Sequence, residues 1–198
     1  VGAVTGLNNR YQILDIVNKM AKKIIHRGPD SSGIYLDDNI SYCCAHQRLS
    51  ILDLSSAGNQ PMESFTKRYI IAFNGEIYNF RELRSKLNLQ TNIKWKGSSD
   101  TEVLVNAIEF WGLEKTLNLS KGMFAFALLD KIKKRLFLVR DRFGEKPMYF
   151  GFTGFGSSKA LVFGSEISAL IEFPSFKKEL NLNAIDSLMR FSCVPSDL

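Results

Sequence analysis

The sequence predicts an α+β fold in which sheets are covered by helices. Two patterns carry that prediction: helical periodicity is concentrated in the first half of the chain, and strand-like runs stand at both of its ends. Strands and helices do not alternate one by one, as a parallel α/β sheet would require.

Residues 1–5 form a short apolar run closed by Gly6, which suits a buried strand. Over residues 11–25 the apolar positions Ile13, Ile16, Val17, Met20, Ile24 and Ile25 recur three and four apart with polar residues between them, so an amphipathic helix is expected. His26-Arg27-Gly28-Pro29-Asp30 should stop it, because Gly28 and Pro29 both break helices. Residues 33–36 and 40–47 then read as a hairpin that turns at Asp37-Asp38-Asn39. An apolar run over residues 69–73 enters Asn74-Gly75, a dipeptide that by itself usually marks a turn. Asn79 is expected to cap a helix, since Glu82 lies three residues on and Phe80, Leu83 and Leu87 make its apolar stripe. Residues 100–111 read as another helix, burying Val103, Leu104, Ala107, Ile108 and Trp111, with Asp100 able to cap it. Beyond it, residues 123–129, 135–139, 148–152 and 161–164 are strand candidates for a β-meander. The charged segment 172–180, with Pro174, reads as a connector, and residues 181–191 as a new helix.

With 45% hydrophobic residues in 198, the chain can bury an ordinary core, which argues against disorder. No stretch approaches the roughly eighteen unbroken apolar residues of a membrane helix, and the first residues lack a signal-peptide pattern. A soluble, cytoplasmic protein with no membrane partner is expected. Cys43, Cys44 and Cys193 make an odd count, and the adjacent pair must point to opposite faces of a strand, so no disulfide framework is implied. The net charge of +6 is scattered in ones and twos, the pattern of a solvated surface and not of a nucleic-acid-binding tract. Two histidines without paired cysteines argue against a metal site, and His46 is read as an ordinary strand histidine.

Several segments carry a more specific signal when taken in order: His26-Arg27-Gly28-Pro29-Asp30, Arg48-Leu49-Ser50-Ile51-Leu52-Asp53, Asn74-Gly75-Glu76-Ile77-Tyr78-Asn79 and Gly97-Ser98-Ser99-Asp100-Thr101-Glu102. Gly122-Met123-Phe124-Ala125-Phe126-Ala127, Arg140-Asp141-Arg142-Phe143-Gly144 and Ser165-Glu166 continue it. Together they resemble the class II glutamine amidotransferases, most of all the glutaminase half of the asparagine synthetases. That resemblance implies a four-layer αββα sandwich of two mainly antiparallel sheets, the N-terminal-nucleophile hydrolase type. It also implies L-glutamine as ligand, Asn74 and Gly75 as the oxyanion hole, and Glu76 with the backbone of Arg48, Leu49, Ser50, Ile51 and Leu52 as walls of the pocket. The chemistry agrees with the residue types. Arg48 offers a planar fork to the substrate carboxylate, and Asp100 a negative charge to its ammonium.

The family's nucleophile is an N-terminal cysteine in the pattern Cys-Gly-Ile-x-Gly, whose own amine, with an ordinary pKa of about 7.7–8.0, serves as base. Here Gly2 matches the second glycine only if Cys-Gly-Ile preceded Val1, so the chain as given is expected to be inactive. Residues 1–171 are read as the amidotransferase domain, and residues 172–198 as a linker with the start of a synthetase domain. No cofactor is expected in the first; ATP and Mg²⁺ would belong to the second. A homodimer is compatible with these residues and not specified by them. Two other readings stay open: amidation of a different carboxylate acceptor, such as a surface sugar, and a glutamine-binding module without catalysis.

Overall fold

In the computed structural model, residues 1–5, 10–154 and 159–194 are described. β1 (Gly2–Thr5) lies between β3 (Tyr42–Arg48) and β9 (Ala160–Gly164). With β2 (Ser31–Asp37) and β8 (Tyr149–Thr153) outside them, they make a sheet ordered β2-β3-β1-β9-β8. The second sheet runs β4 (Met62–Glu63), β5 (Tyr69–Ile77), β6 (Gly122–Asp130) and β7 (Arg135–Arg140). Every pairing among the described residues is antiparallel.

The pleat explains the layers, because successive side chains of a strand point to opposite faces. On β3, Cys43 and Ala45 face α1 (Arg10–Lys22), joining its stripe of Ile13, Ile16, Val17, Met20 and Ala21. Tyr42 and Cys44 face the other way and pack with Ile70, Ala127, Leu129 and Phe163 between the two sheets. On the far side of the second sheet, Ile71, Phe73, Phe126 and Leu128 meet α2 (Phe80–Gln90) and α3 (Asp100–Trp111) through Leu83, Leu87, Val103, Leu104 and Ala107. Three apolar interfaces thus separate four layers, the αββα order that the resemblance implies. Each fully buried Leu, Ile or Phe there contributes about 1.5–3 kcal/mol.

Several local expectations are corrected. The first helix ends at Lys22 and tightens into a 3₁₀ turn over Ile25–Arg27, with Arg27 and Gly28 donating to Ile24 O and Ile25 O. Ile25 consequently leaves the apolar stripe and is exposed. Asn79 does not cap α2 with its side chain; its Nδ2 donates to Leu119 O and its Oδ1 accepts from Lys121 N, tying down the turn after α4 (Leu113–Leu119). Ser99 caps α3 by accepting from Glu102 N, which frees Asp100 for another partner. The four late strands are not one meander. β6 and β7 belong to one sheet and β8 and β9 to the other, because β9 pairs with β1. Gly6, expected to close the first strand, lies outside the described residues. Among the described residues no helix is long and apolar enough to cross a membrane. Near the end, Phe173 and Phe176 still pack beneath α1, α5 (Ile167–Leu170) precedes them, and α6 (Leu182–Phe191) buries none of its residues.

Candidate functional site

The inner faces of β3 and β5 change character along their length. Tyr42 and Cys44 are followed on the same face of β3 by His46 and Arg48; Ile70 and Ala72 are followed on β5 by Asn74 and Glu76. The apolar filling between the sheets therefore gives way to polar groups at one end, where a cavity of about 260 Å³ opens. Arg48, Leu49, Ile51, Leu52, Asn74, Gly75, Glu76 and Asp100 all line it. Ser50 alone of the expected residues is not in its wall; its N–H donates to Asp30 Oδ2 at 2.7 Å.

Asn74 and Gly75 are not a turn, since β5 runs through them to Ile77 in unbroken register with β6. The reason is visible along the strand's other edge, where β4 covers only Ile70 and Ile71 and side chains take over. Phe73 N donates to Gln60 Oε1 at 2.6 Å, Phe73 O is bound by His46 Nε2 at 3.0 Å, and Ile77 N donates to Asp100 Oδ2 at 2.9 Å. Phe124, opposite Gly75, spends its own N–H and C=O on Asp141, at 3.1 and 2.8 Å. In an antiparallel ladder such a pair shares no hydrogen bond, so the N–H of Gly75 points to the open edge, as those of Phe73 and Ile77 do. Glycine is required there: φ is +157°, and a Cβ would press on Met123 O and, at 2.7 Å, on Phe124 Cα. Asn74 Nδ2 is buried beside it without a hydrogen-bond partner. An unpaired buried amide is costly, and an acceptor brought into the cavity would relieve that cost.

Charge is arranged around these donors. Arg48 is buried, and its Nη1 donates to Ser55 O at 2.9 Å and Asn59 Oδ1 at 3.0 Å while Nη2 donates to Asp53 O. Three of its five N–H groups are thus used in holding the 49–59 loop, and two remain for an anion. Asp100 accepts from Ile77 N and from Thr101 N, and its pKa is raised, chiefly by burial, against those two hydrogen bonds and with help from the charge of Glu76. A cation would relieve both effects. Asp53 bridges the loop to the entry of α3, accepting from Ser55 N and Oγ and from Ser98 N. The Ser55 hydroxyl, then Ser98, bring its pKa from 3.8 to about 2.

That depression carries a pH dependence. A carboxylate whose folded pKa lies below its unfolded one contributes stability that is present above the unfolded value and lost as pH falls through the folded one. Asp130 behaves likewise: burial opposes ionisation, but Arg68 and the Lys133 N–H outweigh it and bring the pKa to about 2. Urea midpoints should therefore fall between about pH 4 and pH 2, and Asp53→Asn should flatten that fall; an unchanged profile in the variant would remove the Asp53 contribution.

Sequence reading missed His46, Gln60, Arg27 and Lys146, all of which line the cavity. His46 had a usable signal, being two residues from Arg48 on one strand and hence on its face. Gln60 had none, because its role depends on β4 being too short to cover Phe73. His26 and Arg27 both bind Glu166 Oε1, at 2.9 and 3.0 Å, fixing the 3₁₀ turn itself to the segment just after β9.

Residues 1–198 match the family described as the glutamine amidotransferase domain. Asparagine synthetase [glutamine-hydrolyzing] 2 of Oryza sativa subsp. japonica is 40% identical over 168 residues, covering 85% of this chain and 26% of that protein. Asparagine synthetase B [glutamine-hydrolyzing] of Escherichia coli (strain K12) is 38% identical over 164 residues, covering 79% of this chain and 28% of its own. Asparagine synthetase [glutamine-hydrolyzing] 2 of Bacillus subtilis (strain 168) is 38% identical over 84% of this chain and 21% of its own length. The chain thus spans well under half of the curated relatives it matches. Among solved structures, the glutamine phosphoribosylpyrophosphate amidotransferase of B. subtilis, complexed with ADP and GMP, superposes with a TM-score of 0.66 at 20% identity over 86% of this chain and 42% of its own, a likeness of fold.

Proposed function

The chain belongs to the glutamine amidotransferase domain family, and from that premise we propose that the cavity between β3 and β5 binds L-glutamine and that the domain hydrolyses its side-chain amide. The ammonia released would serve the ATP-dependent amidation of aspartate in a further domain of the same protein, and ATP and Mg²⁺ are assigned there; the synthetase relatives support that destination. The observation that carries the reading is the buried, unpartnered Nδ2 of Asn74 next to a glycine N–H at an uncovered strand edge.

The residues divide the work between the two ends of the ligand. Arg48 meets the α-carboxylate with its two uncommitted N–H groups, and Asp100 with Glu76 meets the α-ammonium. The amide carbonyl then lies toward Asn74 Nδ2 and Gly75 N–H. When a thiolate adds to that carbonyl carbon, its oxygen takes the negative charge and both donors bind it more strongly than before. Collapse, with the proton that the nucleophile's own α-amine took from the thiol passed to the leaving nitrogen, expels ammonia and leaves a thioester, and water converts this to glutamate through a second oxyanion at the same place.

The binding half is testable by itself. Arg48→Ala and Asp100→Ala should each weaken glutamine binding by about 1.5–3 kcal/mol, roughly ten- to a hundredfold, as the loss of a charged hydrogen bond demands. Calorimetry that finds both variants binding like the parent would remove these roles. Because Arg48 also holds the 49–59 loop, Arg48→Lys should recover part of the loss while leaving the loop under-anchored.

A further inference from the structure

His46 is the second buried orphan of this cavity. Its Nε2 lies 3.0 Å from Phe73 O, and a carbonyl oxygen can only accept, so Nε2 carries the proton and Nδ1 is bare. That Nδ1 is buried and has no hydrogen-bond partner. Burial first, then the N-terminal ammonium and Arg48, push the imidazole pKa down to about 4, against the pull of the Phe73 carbonyl, so the lone pair is retained at neutral pH.

Two residues of the cavity wall therefore each carry an unsatisfied buried group, of opposite sense: the donor Asn74 Nδ2 and the acceptor His46 Nδ1. They do not satisfy each other. What completes both must bring an acceptor and a donor together, and a primary carboxamide does so, with its C=O and its –NH2 on one carbon. A carboxylate does not, since it presents acceptors only and would set one oxygen against the Nδ1 lone pair. We propose that His46 Nδ1 accepts an N–H from the –NH2 of the bound side-chain amide and so makes the pocket select an amide over a carboxylate. This rests on the glutamine reading of the same cavity and adds to it a residue that distinguishes substrate from product. Glutamate formed in the pocket loses the hydrogen bond that held its parent amide, which favours its departure.

The test uses the chain as it is, labelled with ¹⁵N in its two histidines. His26, on the surface, is the internal reference. Saturating L-glutamine should move the bare Nδ1 resonance of His46, and L-glutamate should not reproduce that shift. In parallel, His46→Phe keeps a ring in the same space and has no lone pair to offer, so calorimetry should find its glutamine-to-glutamate affinity ratio reduced about tenfold. A parent that binds glutamine with the Nδ1 resonance unmoved overturns the proposal, as does a folded His46→Phe variant with the parental ratio. A parent that binds no glutamine removes the glutamine site, and this inference falls with it.

Discussion

A polypeptide of these 198 residues should bind L-glutamine and release no ammonia from it, whereas the same polypeptide preceded by Cys-Gly-Ile should hydrolyse it. The register of β1 supports this. Val1 and Ala45 exchange both backbone hydrogen bonds, Val1 N to Ala45 O at 3.0 Å and Ala45 N to Val1 O at 2.8 Å, and Gly2 stands opposite Cys44. Each step back along β1 is one step forward along β3, so a third residue ahead of Val1 would lie opposite Arg48. Side-chain direction follows the same arithmetic. Val1 and Ala3 face α1 and Val4 faces the inter-sheet layer, so the third residue ahead would share the inward parity of Gly2 and Val4. An in-register extension would thus aim its first side chain into the cavity that Arg48 and Asn74 line.

The extension also suits the strand. The amine of Val1 is buried and its pKa is lowered by that burial; a peptide N–H would make the same bond to Ala45 O without a charge. A new terminal amine would then stand at the cavity, free to act as base once any initiator methionine is removed. Ser-Gly-Ile should give far less activity, because a hydroxyl is much less acidic than a thiol. A glutamine-like diazo ketone should label only the new cysteine. Cys43 and Cys44 are buried, and burial pushes their thiols up to about 12 and about 11, so they stay protonated. Ammonia from the unextended chain, or label on Cys43 or Cys44, would place the chemistry elsewhere.

How much of this was legible in the sequence depends on how local its cause is. α3 begins and ends at the residues its apolar spacing indicates, and the β2–β3 hairpin turns within two residues of Asp37-Asp38-Asn39, at residues 38–41 with Asp37 still paired in β2, because both are decided within a few residues. Asn74-Gly75 misleads locally: its turn preference is overruled by nine consecutive pairings with β6, a partner almost fifty residues away. The split of the late strands between two sheets was equally hidden, since it follows from β1 accepting β9 as a neighbour. The site residues came from joint spacing and were brought together by the pleat. The residues that complete their surroundings, Gln60 and His46, answer to an edge that exists only because β4 begins at Met62 and leaves Phe73 uncovered.

In the extended chain, Asn74→Ala should lower kcat about a hundredfold to a thousandfold while changing the KM for glutamine much less. The carbonyl oxygen of bound glutamine is a modest acceptor, and the ammonium and carboxylate ends carry most of the ground-state binding through Asp100 and Arg48. Once the thiolate adds, a full negative charge sits on that oxygen within reach of Asn74 Nδ2 and Gly75 N–H, in a space sheltered from water. A donor lost at that stage costs roughly 2.7–4 kcal/mol of transition-state stabilisation. The strand should survive the change. Asn74 Nδ2 has no protein partner to lose, alanine removes an unsatisfied buried amide, and the pairing of Asn74 with Ala125 is made by the backbone. Stability should therefore hold or rise as turnover falls, a divergence that a merely structural asparagine would not produce. Thermal melts and steady-state kinetics on the same preparation separate the two cases: normal turnover, or a loss of turnover matched by a loss of folding stability, would take the oxyanion role away from Asn74.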